Sequence, residues 1–217
     1  MALLSFFSKL TNHALFKSSL IYTITDVINK AIPFFLLPFL THYLLPSEYG
    51  ITTNFNIFVS ILTIFIGLSI QGAIAANFYK LNKTELSIYV SNALLIIFFS
   101  FIFFNIVVFL LKDIIYSFLP ISFLYIFGGT CVAFVQAISS INLTLWQLNI
   151  QPYKFGIYGI TQTALNVSLS LILIIVFNMG WEGRINAAII AAITYGIFSL
   201  YLILKRTNFV LDVNRTY

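Results

Sequence analysis

Charge is what this sequence has least of. Only 8% of its 217 residues are Asp, Glu, Lys or Arg, against about 25% in a soluble domain. So few charges cannot cover a water-facing surface, which excludes an ordinary soluble fold. Cysteine is nearly absent. The single Cys131 lies inside an apolar run, so there is no disulfide framework and no thiolate metal site. His13 and His42 are far apart and sit in no ligand-spaced motif. Enzyme signatures are missing too: no nucleophile elbow, no phosphate-binding Walker loop, no HExxH. The acids Asp26, Glu48, Glu85, Asp113, Glu182 and Asp212 are scattered singly. We therefore expect no catalytic residues, metal or cofactor, and no nucleic-acid partner.

What is present is apolar length. Hydrophobic residues make up 60% of the chain and the mean hydropathy is +1.01. Charges punctuate it at intervals that leave stretches of about 20 residues, enough to span a bilayer as helix. The spacing predicts an all-α, polytopic membrane bundle of about six spans. These are Ser18–Leu45, Ile51–Asn77, Ile88–Leu111, Pro120–Asn149, Phe155–Phe177 and Ile185–Leu204. The interval 114–153 carries no charge after Asp113 and could hold two short helices broken at Gly128-Gly129. One long helix is preferred, after a loop at Ser117–Pro120, with Pro120 in its first turn. Its polar end, Asn142 to Gln151, would then protrude into water. Residues 1–17 read as a retained interfacial segment, 18–204 as the transmembrane lobe, and 205–217 as a tail.

The loops set an orientation. With the N-terminus inside, Lys9, Lys17, Lys80, Lys83, Lys154, Lys205, Arg206 and Arg215 are cytoplasmic, and only Lys112 and Arg184 fall in outer loops. That bias follows the positive-inside rule and places both termini in the cytoplasm. The sequons at Asn82, Asn142, Asn166 and Asn214 then lie inside or within helices and are not glycosylation sites.

Polar groups within the spans are the candidate functional residues. Asp26 and Lys30 are one turn apart on the first span, and with Asn29 and Pro33 share one face. Either Lys30 pairs with Asp26 or snorkels to the interface, or the two line a water-filled pathway. Pro33 and Pro38 each remove a helical hydrogen bond, giving a fixed kink or a hinge. Asn105, Gln136, Gln162 and Asn166 lie deep in later spans. Each alone reads as an interhelical hydrogen bond. Together they suggest a polar seam suited to hydroxyl-rich cargo. Ala188, Ala192 and Gly196 repeat every four residues, a spacing for close helix packing.

The segment LPFLTHYLLPSEYG, Leu37 to Gly50, carries a family resemblance. It resembles the end of the first helix and first outer loop of Wzx-type polysaccharide flippases, of the multidrug/oligosaccharidyl-lipid/polysaccharide (MOP) exporter superfamily. Leu37, Pro38, Thr41, Leu44, Pro46, Glu48, Tyr49 and Gly50 keep that pattern, whereas His42 stands where arginine is common and Leu45 where glycine is common. The stretch Gly180 to Ala192 looks like the family's entry to its sixth helix. The resemblance implies one six-helix lobe of a MATE-like fold in the bacterial inner membrane. It also implies an undecaprenyl-linked oligosaccharide substrate, alternating access, and a second six-helix lobe as partner. Asp26 lies on the helix where some relatives place a coupling acid. A multidrug or ion antiporter of the same superfamily and an inactive truncated membrane protein are the alternatives.

Overall fold

The computed structural model describes residues 14–207, and every regular element among them is helical. In chain order these are α1 (Ala14–Tyr43), α2 (Pro46–Gly67), α3 (Ile70–Asn77), α4 (Lys83–Leu110), α5 (Lys112–Phe118), α6 (Phe123–Leu148), α7 (Pro152–Leu171) and α8 (Gly180–Thr207). A π-helical turn, Ile172–Val176, extends α7. Six helices are long and apolar enough to cross a membrane: α1, α2, α4, α6, α7 and α8. The expected interfacial segment 1–17 lies mostly outside the described residues, and Ala14 to Lys17 already belong to α1.

Local chemistry places the helix starts. α2 begins at Pro46, where a missing N–H costs nothing, and the Glu48 carboxylate accepts from the Leu45 N–H at 2.9 Å. α4 begins with a reciprocal box: Glu85 N–H donates to Asn82 Oδ1 at 2.9 Å, and Asn82 N–H to Glu85 Oε2 at 3.1 Å.

Several expectations need correction. The second span is not one helix: Leu68 and Ser69 adopt left-handed φ of 48° and 53°, ending α2 and restarting the chain as α3. Pro120 precedes α6 rather than opening it, and Ser122 is the N-cap. The preferred single long helix does hold: α6 is unbroken through Gly128-Gly129. A Cβ on Gly129 would lie 3.0 Å from the Phe58 ring, so this glycine serves contact with α2. α8 runs past Leu204 to Thr207, taking Lys205 and Arg206 into the helix. The first span needs no such correction: α1 is one helix through Pro33 and Pro38, and the Pro38 carbonyl accepts from Thr41 Oγ1 at 3.1 Å.

α6 is the central post. Its Ile126, Ala133 and Ile141 are fully buried against Phe55 and Ile66 of α2, Ile97 of α4, and Ile185 and Ile203 of α8. The small residues of α8 allow this approach, with Ala192 and Gly196 buried. By contrast Phe99, Phe103, Phe109 and Ile197 are exposed, as lipid-facing side chains should be. α1 stands at the edge, packed along α7: Leu36, Leu40 and Leu44 meet Ile174, with Val167 and Leu171 beside them. Gly156 and Gly159 let α1 in closely. A Cβ on either would come within 2.9 Å of Thr25 Oγ1 or 2.6 Å of Asn29 Nδ2.

Candidate functional site

The face of α1 that packs on α7 carries Thr25, Asn29, Leu36 and Leu40. Asp26 and Lys30 are each one residue further round, and both are exposed. Neither has a hydrogen-bond or ion-pair partner among the described residues. Of the alternatives for this pair, an Asp26–Lys30 ion pair is not formed. Asn29 separates from them: its Oδ1 accepts from Thr163 Oγ1 of α7 at 3.1 Å.

A second polar cluster forms where α7, α8 and the end of α1 converge. A cavity of about 170 Å³ is lined by Leu36, Gln162, Thr163, Asn166, Val167 and Arg184. Arg184 Nη1 donates to Asn166 Oδ1 at 2.6 Å and to Ser170 Oγ at 3.0 Å. Ser170, fully buried, also donates to the Asn166 carbonyl at 2.7 Å. Gln162 and Asn166 thus share a site as their spacing predicts. Sequence reasoning missed its cation. It put Arg184 in an outer loop, but Arg184 lies in the second turn of α8. The available signal was the amide and hydroxyl ladder Gln162, Asn166, Ser170 on the preceding span, which offers acceptors to a cation.

The Leu37–Gly50 segment packs beside Leu36, one of the residues that line this cavity. Tyr49 packs with Leu36, Leu40 and Leu44. Glu48, besides capping α2, crowds Gly180 at the start of α8. That glycine has φ +55°, and a Cβ there would lie 2.5 Å from Glu48 Oε1. The motif is thus a corner that fixes α1, α2 and α8 together at one end of the bundle.

The remaining candidates are dispersed. Thr130 Oγ1 donates to Asn105 Oδ1 at 2.8 Å, joining α6 to α4, and Thr63 Oγ1 donates to Gln136 Oε1 at 3.1 Å, joining α2 to α6. These are separate cross-links between different helix pairs, not one continuous seam. Asn142 does not protrude into water. It is fully buried, donating to Ser199 Oγ at 3.2 Å and accepting from Arg206 Nη1 at 3.3 Å. Ser199 continues the network to Tyr158, whose hydroxyl donates to Ser139 Oγ at 2.9 Å. Among the described residues no group of three or more His, Cys, Asp or Glu could hold a metal ion. The amides, hydroxyls and lone guanidinium around Gln162 can bind and orient a polar or anionic group.

No protein-family model matches the chain. It is 28% identical over 200 residues to an uncharacterized membrane protein of Haemophilus influenzae, covering 90% of this chain and 46% of that one. It is 35% identical over 77 residues to the Lsg locus putative protein 1 of the same organism, covering 36% of this chain and 19% of that one. Among solved structures, a MATE mutant superposes with a TM-score of 0.70 at 15% identity, over 92% of this chain and 48% of that one. An outward-facing multidrug resistance MATE family transporter of the MOP superfamily gives 0.69 at 16% identity, over 91% and 47%. MATE in complex with MaD3S gives 0.69 at 16%, over 93% and 48%. The class is therefore a multi-pass helical membrane protein with a MATE-like fold. More particularly, the chain spans about half the length of the membrane protein and MATE structures it matches and forms one six-helix lobe of that fold.

Proposed function

We propose that this chain is the N-terminal lobe of an exporter that carries lipid-linked oligosaccharide repeat units across the bacterial inner membrane for surface polysaccharide synthesis. A second six-helix unit supplies the opposite wall of the pathway. The single observation that carries the reading is the exposed, unpartnered pair Asp26 and Lys30 midway along a membrane-length helix. Charges there are tolerated against a water-filled cavity and not against lipid. The Arg184–Asn166–Gln162 cluster supports it by offering a guanidinium and amides to sugar hydroxyls or phosphate. Pro33 and Pro38 act as the hinge of α1 during alternating access. The lysine-rich end, with both termini, faces the cytoplasm.

A multidrug or ion antiporter is the second reading, favoured by the fold shared with a multidrug MATE transporter. The two separate in a strain deleted for the gene and complemented with wild type or Asp26→Asn. The flippase reading expects wild type to restore surface polysaccharide and Asp26→Asn to fail at equal membrane abundance, with lipid-linked repeat units accumulating. Intact polysaccharide in the deletion strain, together with drug hypersensitivity, would replace flippase by antiporter. No phenotype in either assay would mark the chain as inactive.

A further inference from the structure

The opposite end of the bundle holds a groove that neither Asp26 nor Arg184 lines. It encloses about 640 Å³ between α7 and α8. One wall is the stripe Ile157, Thr161 and Leu165, and the other is Thr194, Phe198 and Leu202. Each stripe runs at i, i+4, i+8, so each is one continuous ridge of its helix. The threonine hydroxyls donate back to their own helices, to the Ile157 and Ile190 carbonyls, which leaves the walls apolar. Trp146 and Tyr158 form the floor, 4% and 3% exposed.

The two ridges end on cations. Lys154 lies one turn before Ile157, and Arg206 one turn after Leu202. Because α7 and α8 run antiparallel, both stand at the same mouth, and both are exposed. Arg206 is held there by its bond to Asn142 and by the Trp146 ring, 5.2 Å beneath its guanidinium. Its other N–H groups have no acceptor among the described residues. The surrounding end is basic: Lys17, Lys80, Lys83 and Lys205 lie there. Its one acid among the described residues, Glu85, is engaged in capping α4. From Lys154 to Leu165 the groove runs about 16 Å at 1.5 Å per residue. That matches about one leaflet of a 30 Å hydrocarbon core.

We propose that this groove is a binding site for an anionic phospholipid of the bilayer. The lipid phosphate sits between Lys154 and Arg206, and one acyl chain lies along the α7–α8 ridges. Charge complementarity selects the headgroup, and the apolar length selects a ligand with a tail over a free anion. The site stands apart from the transport reading and holds whatever cargo the protein carries.

Tryptophan quenching tests it on the full chain. The sequence has two tryptophans, so Trp181→Phe leaves Trp146 in the groove floor as the sole reporter. The protein is reconstituted in mixed phosphatidylcholine and phosphatidylglycerol vesicles, with bromine on the acyl chains of one lipid or the other at equal mole fraction. The expected result is several-fold stronger quenching by the brominated anionic lipid. That preference falls towards unity in Lys154→Gln and Arg206→Gln and persists in Arg206→Lys. Lys154 is exposed, so Lys154→Gln keeps the test valid even if Arg206→Gln fails to fold. Added inorganic phosphate should leave quenching unchanged, and relief by phosphate would reassign the mouth to a free anion. Equal quenching by the two lipids, no quenching by either because protein fills the groove, or a preference that survives Lys154→Gln would each overturn the proposal.

Discussion

At Gly196 α8 comes close to Val135 of α6, and adding one methyl there should reverse a usual sign. A Cβ on Gly196 would lie 2.3 Å from Val135 Cβ and 3.0 and 3.1 Å from its two methyl carbons. Carbon atoms pack best at about 3.5–4.0 Å. Neither Cβ can rotate away, so the helices must separate by about 1 Å or more to approach that spacing. One turn along α8, Ser199 bonds to Asn142 at 3.2 Å and to Tyr158 at 2.8 Å. Such a separation breaks the first of these, a loss of about 1 kcal/mol. Overpacking adds about 1–3 kcal/mol. Against this, Gly→Ala in a helix interior ordinarily gains about 1 kcal/mol. The net expectation for Gly196→Ala is a loss of about 1–3 kcal/mol. For a chain of this size that lowers Tm by about 2–12 °C. Thermal unfolding of the full chain in detergent micelles measures it. Adding Val135→Gly removes the opposing Cβ and should recover part of the loss, a non-additivity that a double-mutant cycle reads directly. A neutral or stabilising Gly196→Ala, or a double variant that is merely the sum of the singles, would refute the packing argument.

Three further outcomes follow from the same contacts. Asn105→Leu removes the Thr130 cross-link and should cost about 0.6 kcal/mol while leaving the export proposed above intact; loss of export would return Asn105 to the pathway. Glu48→Ala should lower stability by about 1 kcal/mol through the lost Leu45 cap, with Glu48→Gln close to wild type in the same unfolding assay. On the proposed function, Arg184→Met should reduce export at unchanged membrane abundance, and full export would assign Arg184 to packing with Asn166 and Ser170 alone.

The architecture was legible because charge is expensive in hydrocarbon, so the few charges of this chain mark where helices leave the membrane. Five of the six spans begin or end within a few residues of those marks. The exceptions have local causes. The Leu68-Ser69 break rests on two left-handed residues that carry no side-chain signature, since neither is glycine. Arg184 and Asn142 were misplaced by the same rule that worked elsewhere, which sends polar residues near span ends out to water. Here each finds partners on another helix: Asn166 and the buried Ser170 for Arg184, Arg206 and the buried Ser199 for Asn142. The Leu37–Gly50 segment was legible as a motif. Its contribution was not, because the contact between Glu48 and Gly180 joins residues more than a hundred positions apart.

The exposed face of α1 leads to a requirement on what surrounds the chain. The membrane-length part of α1 runs Lys17–Tyr43, about 40 Å of helix at 1.5 Å per residue. Centring it on a 30 Å core puts Lys30 near the midplane and Asp26 about 6 Å away. With that centring, a lysine stem is too short to carry its ammonium from the midplane to the interface, which disfavours the snorkelling reading of Lys30. The side chains do not neutralise each other, and no neighbour among the described residues does so for them. Two uncompensated charges facing lipid would cost about 5–7 kcal/mol on insertion scales, comparable to the whole stability of a domain, about 5–15 kcal/mol. The α7 side of α1 is already closed by Thr25, Asn29 and the glycines of α7, so α1 cannot simply rotate to bury them. That cost is why we propose that Asp26 and Lys30 face water or a partner surface. On that proposal, the lobe needs something other than lipid against that face of α1.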